Sequence, residues 1–148
     1  MKIMQAGIED LELITPLFDL YRVFYAQVSD VTTAHKFIKS RIENQESVIF
    51  LAVNNEGQGV GFTQLYPSFS SVSAARIWVL NDLYVADEAR RQGIAKKLMN
   101  VARDFAANDK AKGLALETSE NNITAQRLYE SLGYEKELAT YHYFLNLN

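Results

Sequence analysis

Residues 76–85, Arg-Ile-Trp-Val-Leu-Asn-Asp-Leu-Tyr-Val, form the most apolar strand-like run of the chain, and one basic turn later the apolar period changes to that of a helix. Ile94, Leu98, Val101, Ala102 and Phe105 recur at helical spacing and predict an amphipathic helix over residues 91–108. Residues 113–118, Gly-Leu-Ala-Leu-Glu-Thr, then read as a second buried strand. A strand that lacks polar alternation is covered on both faces, so 76–85 is expected to be central. The strand-helix-strand unit is therefore the centre of the fold, and the rest of the chain has to cover it.

Ahead of this unit, residues 2–6 read as a first strand. Over residues 8–27, Leu13, Leu17, Leu20 and Phe24 recur at helical spacing, with Ile14, Phe18, Tyr21 and Tyr25 widening the apolar face. Pro16 inside that pattern either kinks the helix or marks where its regular part begins. Residues 31–43 predict a second helix with Asp30 or Thr32 as its cap. Residues 47–53 and 59–66 predict an antiparallel hairpin around Asn54-Asn55-Glu56-Gly57, and residues 67–71 a loop. Behind the unit, residues 122–132 carry Ala125, Leu128, Tyr129 and Leu132 on one helix face, stopped by Gly133. Residues 134–137 and 140–145 predict two short closing strands. No linker or repeat interrupts this order, so one mixed α/β domain over residues 1–148 is expected.

Several function classes fall away on composition. The 148 residues include no cysteine and two histidines, His35 and His142, which lie far apart in the sequence. Thiolate metal sites, cysteine nucleophiles and zinc-type histidine pairs are excluded or unsupported, so no metal is expected. A net charge of −3 argues against nucleic acid as a partner. No apolar run approaches a membrane span and no secretory leader is visible, so a cytoplasmic protein away from membranes is expected.

Arg90-Arg91-Gln92-Gly93-Ile94-Ala95 joins the central strand to its helix. Amides at a helix N-terminus point outward without partners, and the helix dipole adds positive potential there. Gly93 allows a ligand close to the backbone, Ala95 leaves room, and Arg90, Arg91 and Lys96 add charged donors. The turn thus reads as an anion site, although a solvated basic loop would look the same. Neither the dinucleotide fingerprint nor a Walker A loop is present.

The segment Asn-Asp-Leu-Tyr-Val-Ala-Asp-Glu-Ala-Arg-Arg-Gln-Gly-Ile-Ala-Lys-Lys-Leu resembles motif A of the GNAT N-acetyltransferases, Arg/Gln-x-x-Gly-x-Gly/Ala, with Arg90, Gly93 and Ala95 at the matching positions. A second family element, Asn-x-x-Ala-x-x-Leu-Tyr-Glu-x-Leu-Gly-Phe/Tyr, is matched by Asn122, Ala125, Leu128, Tyr129, Glu130, Leu132, Gly133 and Tyr134. The resemblance implies a mixed, largely antiparallel sheet of about seven strands, splayed in the middle and flanked by about four helices. It implies acetyl-CoA as cosubstrate. The pantetheine arm would pair with the backbone of Leu83, Tyr84 and Val85 in the gap between strands 76–85 and 113–118. Residues Arg90, Arg91, Gln92, Gly93, Ile94, Ala95 and Lys96 would hold the pyrophosphate.

An amine must shed a proton before it attacks a thioester, so the chemistry needs a proton acceptor, an oxyanion donor and a proton donor for sulfur. The resemblance assigns the proton donor to Tyr129, which also reads as a core tyrosine on its helix face. Asp82, a carboxylate in an apolar strand, is the candidate for binding and deprotonating the amine, directly or through water; a structural hydrogen bond is its other reading. Asn122 is expected at the coenzyme or as a helix cap, and a backbone amide near Leu83 as the oxyanion donor. Without cysteine an acetyl-cysteine route is closed, which leaves direct transfer in a ternary complex.

The chain is most similar to the diamine and histone-type branch of the family. That points to a short diamine or polyamine as the acceptor, with Tyr25 and Asp82 binding it and Tyr21, Phe24, Tyr66 and Phe69 as further walls. Asp30 and Glu46 are candidates for a second ammonium. The same aromatics also read as core and hairpin packing. A protein lysine, an N-terminus or an aminoglycoside is the alternative acceptor, and an acetyl-CoA-binding sensor the alternative without turnover. The closing strands imply a homodimer.

Overall fold

Alternation along the strands decides which side chains meet which helix. In β2 (Val48–Val53), Ile49, Leu51 and Val53 point to one face of the sheet and Phe50 and Ala52 to the other, and all five are buried. Ile49, Leu51 and Val53 share a core with Leu11, Ile14, Leu17 and Phe18 of α1 (Leu11–Phe24) and Ala34 and Ile38 of α2 (Val31–Glu43). On the opposite face, Phe50 and Trp78 meet Phe105 of α3 (Ile94–Asn108) edge to face, with centroids 5.6 and 5.1 Å away. Helices thus cover both faces of one sheet.

This is a computed structural model, and it describes Met1–Asn148 in two compact units, Met1–Glu117 and Thr118–Asn148. The first unit holds a five-stranded sheet in the order β1-β2-β3-β4-β5, with β1 Lys2–Gln5, β3 Gly59–Ser70, β4 Ala75–Val85 and β5 Leu114–Ala115. The pairs β1–β2, β2–β3 and β3–β4 are antiparallel, whereas β4–β5 is parallel across α3. The second unit holds α4 (Ile123–Ser131) and the residues after it.

The mixed class, the helices and the central strand-helix-strand unit agree with the sequence reading, and α2 occupies the expected residues. Asp30, and not Thr32, caps α2 by accepting from the Thr33 amide at 3.1 Å. Buried Asp19 ties α1 to this cap by accepting from Ser29 Oγ at 2.6 Å and the Asp30 amide at 2.8 Å. Pro16 lies inside α1.

Four expectations need correction. Residues 67–70 continue β3 instead of forming a loop; Pro67 is tolerated because β2 has already ended at the Val48–Leu65 pair, so β3 is an edge on that side. Strand 113–118 shrinks to two paired residues with Ala115 exposed, so it is not a buried strand. β4 is fully buried only at Trp78 and Leu80, on the α3 face, and at Asp82, which shares the opposite face with its β3 partner Gln64. The closing strands are not formed: residues 134–148 contain no strand, and Tyr141, Tyr143, Phe144 and Leu145 are exposed. The sheet therefore has five strands instead of about seven.

Thr15, on α1, is 5% exposed and its hydroxyl has no hydrogen-bond partner. A buried hydroxyl without a partner costs free energy, and valine has nearly the same shape. Thr15→Val should raise stability by roughly 1 kcal/mol. A denaturant midpoint that moves up with an unchanged slope is the expected result, and a fall would mean that the hydroxyl is satisfied.

Candidate functional site

Two strands that are hydrogen-bonded at one end and free at the other leave a row of backbone donors and acceptors open between them. β4 and β5 pair only at Trp78–Leu114 and Val79–Ala115. Beyond Val79, β4 remains paired to β3 through the Leu83–Thr63, Tyr84–Phe62 and Val85–Gly61 matches, while its other edge has no strand partner. The expected splay is therefore present, and it exposes the backbone edge of the segment that contains Leu83, Tyr84 and Val85.

This open edge leads into the basic turn. Arg91 and Gly93 adopt left-handed backbone at φ 64° and 75°, which reverses the chain and delivers Ile94 as the first residue of α3. Gly93 caps α3 without a side chain, so no side-chain acceptor occupies the first helix amides. A Cβ built on Gly93 meets nothing within 4 Å, so the backbone faces open space. The first turn of α3 contains no acidic residue. Gly61 allows α3 to dock here, because a Cβ there would lie 3.0 Å from the Tyr84 carbonyl and 3.4 Å from Ile94 Cγ2. Free amides, a helix dipole and an open glycine make a cradle for an anion.

The side chains of the turn divide by role. Arg91, Gln92 and Lys96 are exposed, and Ala95 is half-buried. Ile94 is 4% exposed, so only its backbone can serve a ligand. Arg90 is engaged internally: Nε donates to the Val85 carbonyl at 2.9 Å, Nη1 pairs with Asp87 at 2.7 Å, and the guanidinium lies 5.6 Å from the Tyr84 ring centre. It therefore braces the turn against β4.

Opposite the turn along β4 lies a buried polar cluster. The β3–β4 register shifts between Gln64 and Leu65, which pair with Asp82 and Leu80, so Asn81 is the extra residue of a β-bulge. Asp82 is 1% exposed, yet both its oxygens are occupied: Gln64 Nε2 donates at 2.6 Å and Asn81 Nδ2 at 2.8 Å. Gln64, itself fully buried, is oriented in turn by Ser47 Oγ, which donates to Oε1 at 2.8 Å. Thr63 Oγ1 donates to the Asp82 carbonyl at 2.7 Å. Tyr21 of α1 donates to the Asn81 carbonyl at 3.2 Å.

Burial pushes the Asp82 carboxyl above the ordinary carboxylate range, and the hydrogen bonds from Asn81, Gln64 and Tyr21 oppose this only in part. Tyr66 is pushed up to about 12 by desolvation and by the negative field of Asp82, against the opposing field of Arg41. The burial of Asp82 leaves no side-chain face for direct contact with an amine, so any part it plays runs through the groups bonded to it.

The expected aromatic walls are brought together only in part. Tyr25 is exposed, with its ring 5.0 Å from Tyr21 and 5.2 Å from Phe24. Phe69 instead stacks on Arg76 at 4.9 Å. Asp30 is occupied as the α2 cap, which holds its carboxyl below the ordinary range, and Glu46 pairs with Arg41 at 3.0 Å. In the second unit, Asn122 caps α4 by accepting from the Ala125 amide at 3.2 Å, and the Tyr129 ring lies 6.2 Å from that of Tyr134. No cluster of His, Asp and Glu able to hold a metal ion occurs, and no helix is long and apolar enough to cross a membrane.

Sequence reasoning missed Tyr21 as a polar contact of the bulge, and it missed Asn81, Gln64 and Ser47 altogether. The available signal was a pair of carboxamides and a carboxylate in two otherwise apolar strands.

Residues 14–134 match the Acetyltransferase (GNAT) family. The chain is 49% identical over 147 residues to an uncharacterized N-acetyltransferase, YhfO, of Bacillus subtilis, covering 99% of this chain and 98% of that protein. It superposes on the crystal structure of a probable acetyltransferase with a TM-score of 0.94 and 44% identity, over 100% of this chain and 99% of the other. An aminoglycoside N-acetyltransferase in complex with CoA shares the fold, with a TM-score of 0.80 and 19% identity over 97% and 93% of the two chains.

The raised Asp82 carboxyl has a consequence for stability. Because its native value lies above the unfolded one, ionisation opposes folding: the penalty is absent below the ordinary carboxylate value of 3.8 and complete above the native value. In urea titrations across acidic and neutral pH, the stability of wild type relative to Asp82→Asn should fall as pH rises through that window. A pH-independent difference would show that Asp82 ionises without cost.

Proposed function

The chain belongs to the GNAT family and is an acetyl-CoA-dependent N-acetyltransferase, and from this we propose that it acetylates a short primary diamine or polyamine by direct attack within a ternary complex. The observation that supports this acceptor is the bulge. It sets exposed Asn81 and buried Asp82 on the unpaired stretch of β4, with the Tyr21–Tyr25 aromatic pair leading to it. An exposed aromatic face beside a backbone carbonyl suits an alkylammonium group, and Asp82 acts on it through the groups bonded to it. The family match runs through both compact units, which supports reading residues 1–148 as one domain.

The residues fit the cosubstrate. Bound acetyl-CoA supplies an activated acetyl group. The backbone edge at Leu83, Tyr84 and Val85 holds the pantetheine arm as an added strand would. The backbone of Gly93, Ile94, Ala95 and Lys96 binds the pyrophosphate, with Arg91, Gln92 and Lys96 side chains around it and Arg90 keeping the turn in shape. The Leu83 amide stabilises the charge that develops on the carbonyl oxygen. Tyr129 protonates the leaving sulfur and Asn122 contacts the coenzyme; the motif positions of these two residues support both roles. Positioning of the two reactants accounts for most of the acceleration.

The experiment is release of CoA across short diamines, spermidine, spermine, an aminoglycoside and a lysine peptide, read with a thiol reagent that meets no protein thiol. Turnover is expected with the diamines and polyamines, and Tyr129→Phe should lower it about 10²-fold with acetyl-CoA affinity retained. Preference for the aminoglycoside or the peptide would replace the acceptor assignment, and binding without turnover on any amine would favour a sensor. Unchanged turnover in Tyr129→Phe would remove its acid role.

The exposed apolar side chains of residues 138–147 support a homodimer, since a surface of this kind is expected to be covered. Light scattering at micromolar concentration should return twice the 16.8 kDa chain mass, and a monomer would rule the dimer out.

A further inference from the structure

A buried carboxylate cannot take a proton from a substrate it does not touch, so its use as an acceptor requires a group that reaches both it and the solvent side. In the first unit that group is Tyr21. Its ring is half-buried and packed against Phe18, Tyr25 and Phe62, with centroids 6.1, 5.0 and 5.9 Å away, so its direction is set by three other rings. Its hydroxyl donates to the Asn81 carbonyl at 3.2 Å and is also within hydrogen-bonding reach of the Asp82 carboxylate. The remaining contacts of Asp82 are the amides of Gln64 and Asn81, which hold the carboxylate but do not exchange protons at a useful rate. Among its bonded partners only the Tyr21 phenol can both give and accept a proton.

We infer that Tyr21 is a further catalytic residue, a proton conduit that carries the proton of the acceptor ammonium to Asp82. The inference rests on the reading of Asp82 as the proton acceptor of the amine. In the step, the N–H bond of the ammonium breaks as a new O–H bond forms at Tyr21 Oη. The original phenol O–H breaks as one forms on an Asp82 oxygen. The nitrogen lone pair is freed for attack, the phenol is regenerated, and one proton has moved from nitrogen to carboxylate. The Asn81 carbonyl, which the bulge turns toward the phenol, gives the hydroxyl a resting partner between turnovers. Ser47 and Gln64 are positioning residues, since they fix the carboxylate through a chain of two hydrogen bonds.

The groups facing Asp82 agree with such a use. Tyr21 of α1, Gln64 of β3 and neighbouring Asn81 act on it as hydrogen-bond donors, and Tyr66 of β3 feels its negative field and the opposing field of Arg41 of α2. Desolvation raises the carboxyl without any cation to draw it back, so Asp82 holds a proton more firmly than an exposed carboxylate.

Two measurements test this, one of them without an acceptor. In a ¹³C NMR titration of the free protein, Tyr21→Phe removes a donor to the charged form, so the Asp82 carboxyl should titrate at higher pH than in wild type. An unmoved titration would break the link between the two groups. In kinetics with the best amine of the panel, Tyr21→Phe should lower kcat/KM about 10²-fold with acetyl-CoA affinity unchanged. It should also abolish the acidic limb that Asp82 contributes to the pH profile. Two residues in one relay act as a unit, so Tyr21→Phe with Asp82→Asn should be no slower than the slower single variant. Multiplicative losses, or a Tyr21→Phe variant within threefold of wild type while Asp82→Asn is impaired, would overturn the relay but leave Asp82 as acceptor. Full activity in Asp82→Asn would instead defeat the underlying reading of Asp82.

Discussion

β4 has to be paired along its length on one side and released partway along the other, and the Asp82 cluster is how the chain sustains that. A strand freed on one edge loses part of the ladder that keeps it in register. Here the loss coincides with a bulge, and side chains reinforce the ladder that remains: Gln64 and Thr63 of β3 both bond to residue 82, and Ser47 of β2 orients Gln64. The reinforcement is polar and lies in the core, where partly satisfied groups would cost more than they contribute. Both oxygens of Asp82 and both ends of the Gln64 amide are nevertheless bonded. The open edge on which the cosubstrate would lie thus depends on a carboxylate that itself resists ionisation.

At the far end of the same strand a different kind of polarity takes over. The turn at residues 90–96 presents backbone amides, two left-handed residues and exposed basic side chains, with no carboxylate in the first helical turn. Arg90 joins the two regions, since it bonds to the last carbonyl of β4 and braces the turn through Asp87. One strand therefore carries an environment for a proton at its bulge and one for an anion at its end. Keeping them apart along β4 prevents the positive field of the turn from pulling the Asp82 carboxyl back toward its ordinary range.

How much of this could be read in advance follows from which groups do the work. The strand-helix-strand unit, α2 and the Gly93 turn were legible, because apolar period and glycine chemistry are local signals. The splay was legible only through family resemblance. The bulge was not, since an extra residue in β4 is defined by its register against β3 and leaves no mark in β4 itself. Ser47, Gln64 and Tyr21 were opaque for the same reason: they lie 17 to 60 residues from the partners they bond. Residues 140–145 show the reverse error. Their aromatic and β-rich pattern satisfies a strand signal, but a strand exists only where an edge receives it, and here none does.

The asymmetry between a proposed cofactor site that the sequence marks and an acceptor site that it leaves unmarked has a physical origin. Acetyl-CoA is proposed to be held chiefly by backbone, and backbone groups need only a glycine, a small residue and a helix start, all of which have compact sequence signatures. An amine is instead selected by side chains gathered from separate elements, and a change at any one of them leaves the fold intact. Tyr21 illustrates this: as a helix residue with apolar neighbours at i−3 and i+4 it is indistinguishable from core, and only the bulge opposite gives its hydroxyl a task. On the proposed reading, acceptor preference can therefore drift at an exposed position such as Tyr25 while β4, its carboxylate and its turn stay as they are.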